Sequence, residues 1–225
     1  MNLRPMLIVN GMLMAGMAAL SIWGWQAIPD GAQLPVHYNL EGIPDRFAGK
    51  SEALIVMPAI ALAITALLWV IPYFDPRRAN IEASMKFWNA AAIVAVGLLA
   101  YVHTLHVLNG VGYKIDVTSA LIPAMCVAFM GLGNYLGKTR SNWFGGVRTP
   151  WSLSSEYSWE RTHRWTGRMM VVSGLIGLIA WFVLEAKVAV LVLIGLIVAS
   201  MIAAVVLSYV FWRADPDRTA NGTSH

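Results

Sequence analysis

The chain has 225 residues, of which 58% are hydrophobic and 12% charged, half the charged share usual in soluble domains. That balance argues against a soluble domain, and it makes the net charge of +4 a poor argument for nucleic acid, because membrane proteins gather Lys and Arg on the cytoplasmic side. The single cysteine, Cys126, excludes an intramolecular disulfide, and no Walker motif, dinucleotide fingerprint or CxxC pair is present.

Six apolar runs approach or reach the ~20 residues needed to cross the ~30 Å hydrocarbon layer. The first, Met6 to Ile28, follows Arg4 as a signal peptide would. It is long for one and lacks an A-x-A site, so it reads as a retained transmembrane helix with Trp23 and Trp25 at its far interface. The second covers Ala53 to Phe74, where Pro58 and Pro72 are expected to kink or end it. The third covers Phe87 to Leu108, and the fourth Thr118 to Gly137. The fifth covers Arg168 to Leu184 and the sixth Val188 to Trp212, with a tight turn at Glu185-Ala186-Lys187 that makes them antiparallel neighbours. Asn10, Thr65, Asn89 and Ser173 stand inside these runs and are expected to bond between helices.

With the N-terminus inside, twelve Lys and Arg fall on the cytoplasmic side and four outside, a strong positive-inside bias. The expected fold is therefore all-α and polytopic, with six transmembrane helices and both termini cytoplasmic. Its parts are a first helix (1–28), an extracytoplasmic loop (29–52), helices two and three (53–117), helices four to six with a cytoplasmic loop at 138–167 (118–212), and a polar tail without order (213–225).

In the outer loop, Val36, Tyr38 and Leu40 alternate with His37, Asn39 and Glu41, so an extended strand puts the second set on one face. Glu41-Gly42 can turn the chain and return Asp45 towards His37, while Ser51 can cap the second helix. His103 and His106, three apart near the outer end of the third helix, share a face. With His37 and either Asp45 or Asp116 they make a candidate zinc set, the competing reading being interfacial histidines bonded to water or backbone. No cofactor is otherwise expected.

The longest interruption between runs is residues 131–168, with six of the sixteen basic residues and four of the ten tryptophans. Gly145-Gly146 can bring backbone N–H groups to an anion, and Arg148 follows with a planar fork suited to phosphate or carboxylate. Thr149-Pro150 reads as a helix start, and Ser154 or Ser155 caps a helix through Arg168 that carries the Glu160–Arg164 pair. Trp151, Trp159 and Trp165 are expected at headgroup depth, and Arg148, Arg161 and Arg164 are placed to meet lipid phosphate, an acidic peptide or another protein. A positively charged cytoplasmic loop with interfacial tryptophans explains the same composition.

The stretch GNYLGKTRSNWFGGVRTPWSL, followed by WERTHRWTG, resembles the SdpI family, the immunity proteins against a sporulation-delaying toxin. The stretch LPVHYNLEGIPDRFAGK resembles a small domain of unknown function that precedes that segment in many members. The resemblance implies a multi-pass protein of the bacterial cytoplasmic membrane that protects against a toxic peptide outside. It also implies signalling through a cytoplasmic regulator protein inside. The motif positions it carries over are His37, Asn39, Gly42, Asp45 and Lys50 in the outer loop. In the inner loop they are Asn134, Gly137, Arg140, Asn142, Gly145, Arg148, Thr149, Trp151, Trp159, Thr162 and Gly167, with Gly146 and Arg161 beside them. No catalytic residue is assigned. A binding and signalling protein is the leading reading; a transporter or lipid-headgroup-binding protein, and a membrane metalloprotein using the outer histidines, stand beside it.

Overall fold

The computed structural model describes residues 1–39 and 42–220, with the backbone alone for 219 and 220. In chain order the elements are α1 (Arg4–Ala27), β1 (Gln33–Tyr38), β2 (Pro44–Gly49), α2 (Lys50–Val70), a 3-10 turn (Ile71–Tyr73), α3 (Arg78–Ala83) and α4 (Met85–Val111). They continue with α5 (Val117–Leu136), α6 (Pro150–Ser154), α7 (Glu156–Val183), α8 (Ala186–Arg213) and α9 (Pro216–Ala220). Six helices, α1, α2, α4, α5, α7 and α8, are long and apolar enough to cross a membrane, and they follow the six apolar runs. The chain is an all-α multi-pass membrane protein to which one β-hairpin is added.

Local chemistry explains the boundaries. Pro5 starts α1, and Ile28, the residue before Pro29, is extended and ends it. Pro58 lies inside α2 without breaking it, and Pro72 falls in the 3-10 turn that closes the span. Helix α2 begins at Lys50 behind Gly49 with no side-chain cap, so Ser51 is inside the helix and does not cap it. Gly112, at φ 112°, closes α4 in the left-handed conformation that glycine adopts freely. Asp116 then caps α5 by accepting from the Ser119 N–H at 3.1 Å. The surface helix and the fifth run form one continuous element, α7, of 28 residues. At 1.5 Å per residue it is roughly 42 Å long, so its first turns stand clear of the hydrocarbon layer.

The spans form two groups, α1 with α2 and α4, and α5 with α7 and α8, joined along α4 and α5. Lipid tails are as apolar as leucine, so close backbone contact and hydrogen bonds hold such groups together. Asn10 of α1 donates to Thr65 of α2 at 3.2 Å, and the hydroxyls of Ser173 in α7 and Ser200 in α8 lie 3.2 Å apart. A Cβ on Gly133 would lie 2.6 Å from the Gly167 carbonyl oxygen, so α5 and α7 touch backbone to backbone. Ile8, Met12, Leu62, Phe182 and Met201 point outward to where lipid would be.

Both ends of the described residues lie at one face. Asn89, at the start of α4, donates to the Asn2 carbonyl at 3.0 Å, and Ser155 donates to Asp215 beyond α8. The polar tail, expected to lack order from Arg213, holds the short helix α9, and residues 221–225 lie outside the described residues. The hairpin lies at the opposite face, so the two sequence motifs are separated by the thickness of the bundle.

Candidate functional site

At the hairpin face, β1 and β2 pair antiparallel with two register shifts, one on either side of His37. Val36 and Asp45 are the unpaired residues, as in a β-bulge. The bulge breaks the alternation that the sequence suggested. Val36, His37, Tyr38 and Asn39 now all border one cavity instead of dividing between two faces. Leu40 and Glu41, the rest of that alternation, lie outside the described residues.

His37 and Asp45 meet as expected, with His37 Nδ1 at 2.6 Å from Asp45 Oδ1, and their side chains are 65% and 45% exposed. Asn39 holds the turn: its side-chain oxygen accepts from the Ile43 N–H at 2.9 Å, and its carbonyl accepts from the Gly42 N–H at 3.0 Å. Gly42 takes φ 75°, and a Cβ there would approach the Thr118 hydroxyl at 3.3 Å. Lys50 pairs with Asp30 at 3.0 Å and stands over the Trp25 ring, while Arg46 pairs with Glu52. The hairpin is anchored by Leu34, buried with Ile28, Ala53, Leu54 and Val107.

Beneath the hairpin is a cavity of about 400 Å³ between α2, α4, α5 and α8. His37, Tyr38 and Asn39 form its polar rim; Leu121, Ile122, Met125, Leu193, Ile194 and Ile197 form its apolar wall. Tyr38 stacks on His106 at 6.4 Å between ring centroids. Burial pushes the Tyr38 phenol above its ordinary range, and a hydrogen bond with the Asn109 side chain acts the other way.

The histidine and aspartate candidates for zinc are divided. His37 and His106 line this cavity and Asp45 bonds His37 from outside it, but His103 is turned into the helix bundle. There it is wholly buried, and its Nε2 lies 3.0 Å from Ser21 Oγ and 3.2 Å from the Met17 carbonyl of α1. Among the described residues no group of three or more His, Cys, Asp and Glu gathers as a metal would require.

At the termini face, polar residues are buried in a bonded network. Asn142, 2% exposed, accepts on its side-chain oxygen from the N–H groups of Phe144 and Gly145, at 3.0 and 2.7 Å, and donates to the Arg140 carbonyl at 2.9 Å. The glycine turn expected to offer its N–H groups to an anion is thus partly capped from within the chain. Arg148 donates to the Trp143 carbonyl at 2.7 Å, its fork lying along the loop. Thr149 and Ser152 form a capping box, and Thr149 donates to the Ser208 hydroxyl of α8 at 2.8 Å.

Trp159, expected at headgroup depth, is instead fully buried; its indole donates to the Thr139 carbonyl at 3.1 Å because the 137–149 loop folds over α7. His163 stacks on it at 4.0 Å between centroids. The Val147 N–H donates to His163 Nε2 at 2.9 Å, and Nδ1 is 2.8 Å from the Trp159 carbonyl, an acceptor only. The ring is therefore neutral with its proton on Nδ1. Gly146 at φ 111° completes this contact, for a Cβ there would collide with His163 Nε2. Trp151 stands edge-on to Tyr209 at 5.1 Å, Arg161 lies over Tyr157 at 5.0 Å, and Arg140 pairs with Glu160. Asn134 is exposed on α5.

Two residues of this network were not singled out in the sequence, Asp75 and Asp215. Each precedes a proline at the end of an apolar span, and each is buried. Asp75 accepts from the Arg77 N–H at 2.6 Å with one oxygen and from the Trp143 N–H at 3.0 Å with the other. Asp215 accepts from the Asp217 N–H at 3.0 Å and from the Ser155 hydroxyl at 2.5 Å. Both carboxylates close a local turn and clip the 138–158 segment. The signal was present: an Asp-Pro pair after a long apolar run, followed by arginine, occurs twice.

Comparison with known proteins agrees with this division into two motifs. Residues 138–209 match the SdpI/YfhL protein family, and residues 12–62 match a domain of unknown function, DUF1648. The chain is 23% identical over 180 residues to the "Immunity protein SdpI" of Bacillus subtilis (strain 168), covering 78% of this chain and 86% of that one. No solved structure matches. The similarity to the SdpI/YfhL family thus covers the helices and loop of residues 138–209, and the DUF1648 match lies ahead of it.

Proposed function

We propose that this chain is an immunity-type protein of a bacterial cytoplasmic membrane, and that the cavity beneath its hairpin binds an apolar segment of a toxic peptide from outside the cell. The observation that carries this reading is the cavity itself: an apolar wall sized for a few large side chains, with a polar rim of His37, Tyr38 and Asn39 able to bond peptide groups. The similarity to an immunity protein supports the same class of function.

The reading extends to a protein partner at the termini face. Helix α8 supports it, because Ile194 and Ile197 line the cavity while Ser208 holds Thr149 and Ser158 at the far end. A peptide seated at one end can thereby shift the surface offered at the other. The twelve-to-four division of Lys and Arg orients the hairpin outward. Cysteines placed at exposed Gln33 and exposed Ser154, in a Cys126→Ala background, test that. A membrane-impermeant reagent labels the first alone if the orientation is right and the second alone if it is reversed.

The functional test is protection of a sensitive bacterium against the sporulation-delaying toxic peptide. Ile194→Trp fills the cavity from a half-exposed position, so it should abolish protection while the protein reaches the membrane at wild-type level. Ile194→Leu should retain protection. Full protection by Ile194→Trp would remove the cavity from the mechanism.

A further inference from the structure

The termini face carries a furrow that takes in the motif positions Asn134, Gly137 and Gly167 and is separate from the buried network around Trp159. It measures about 450 Å³ and lies between the inner ends of α5 and α7. It exists because of glycine. A Cβ on Gly167 would sit 2.5 Å from the Gly133 carbonyl oxygen, and one on Gly137 would sit 3.2 Å from the Arg164 Cα. Backbones that touch leave the longer side chains to splay apart on either side.

Those side chains are Asn134 from α5, Lys138 from the turn just beyond it, and Arg164 and Arg168 from α7, with Val171 and Val172 one turn deeper. Arg164 and Arg168 are one helical turn apart, so they share a face that Lys138 meets from across the furrow. No carboxylate lines the furrow. Glu160, the nearest acid along α7, is shared between Arg140 and Arg164. Among the described residues no carboxylate pairs with Lys138 or Arg168; they stand over Tyr135 and Trp165, at 5.1 and 5.4 Å.

We propose that this furrow seats the headgroup of an anionic glycerophospholipid. The phosphate meets Lys138, Arg164 and Arg168, and the first part of the acyl chain lies against Val171 and Val172. A cationic top joined to an apolar wall at the membrane surface fits an amphiphile better than a free anion. The lack of a carboxylate for a choline or ethanolamine ammonium selects against zwitterionic lipids. Arginine forks supply paired N–H groups to phosphate oxygens, and lysine adds a point charge.

Native mass spectrometry of the whole purified chain, titrated with phosphatidylglycerol or phosphatidylcholine of the same acyl chains, tests this. The wild-type protein should bind phosphatidylglycerol about tenfold more tightly, as two or three lysine and arginine contacts allow. The double variant Lys138→Gln with Arg168→Gln should bring the two lipids to parity. Lys138→Arg should keep the preference, and so should Arg213→Gln, which removes one charge from the same face outside the furrow. Equal binding of both lipids by the wild-type chain overturns the proposal whatever the variants do. So does loss of the preference in Arg213→Gln, which would mark a general surface charge. Displacement of phosphatidylglycerol by millimolar inorganic phosphate would assign the furrow to the free ion and overturn the lipid.

Discussion

The two faces of the bundle use their polar residues in opposite ways. At the hairpin face His37, Asp45 and Arg46 are exposed, and the His37–Asp45 hydrogen bond and the Arg46–Glu52 ion pair lie at the surface beside a cavity. At the termini face Ser152, Ser158, Thr162 and His163 have no exposed surface, and Asn142 has almost none. Exposed ion pairs contribute little to stability, about 0–1 kcal/mol, whereas a buried polar group left without its partner costs about 1–3 kcal/mol. The hairpin can therefore spend its side chains on a ligand. Much of the other motif holds the 138–158 segment on α7 and α8, and its exposed rim, which includes Arg140, Trp143, Arg148 and Arg161, is left to meet a partner.

The largest effect that would test this contrast comes from Trp159→Ala. Removing a fully buried indole, with its bond to Thr139 and its stack on His163, should cost about 3–5 kcal/mol. Thermal unfolding in detergent should show a large loss, and the folded yield should fall. Gly146→Ala comes next. It forces φ 111° on a residue with a Cβ and drives that Cβ into His163, so roughly 1–3 kcal/mol should be lost, seen as a lower unfolding midpoint. Asn142→Ala leaves the Phe144 and Gly145 N–H groups unanswered and should cost about 1–2 kcal/mol, with faster proteolysis within the 138–149 loop as its marker.

His37→Ala should have the smallest effect on stability, within about 1 kcal/mol, yet a large one on protection. If His37 and Asp45 act as a unit, Asp45→Ala should match it, and the double variant should add little further loss. Additive losses of protection would make them independent surface residues. A stability loss at His37 as large as that at Asn142 would erase the contrast between the faces.

Much of this was legible in the sequence because a bilayer imposes a length. All six spans follow the apolar runs, and the ends differ where caps and glycines act, as at Gly49 and Gly112. The His37–Asp45 contact was legible from alternation and a turn. The bulge at Val36 was not, because its residues look like any strand. Burial of Trp159 was hidden because tryptophan suits both a headgroup layer and a core, and only the folded loop decides between them. His103 and His106 share a helix face by spacing, but the α1–α4 packing takes one and the hairpin takes the other.

The central claim, that the hairpin face is the ligand face, is tested most directly by site-specific photocross-linking to the toxic peptide. A photoreactive residue replaces Leu121 in the cavity wall or, in a second protein, Asn134 at the rim of the opposite furrow. The account predicts a peptide adduct from position 121, absent in an Ile194→Trp background, and none from position 134. An adduct from position 134 alone, or equal adducts from both, would contradict it.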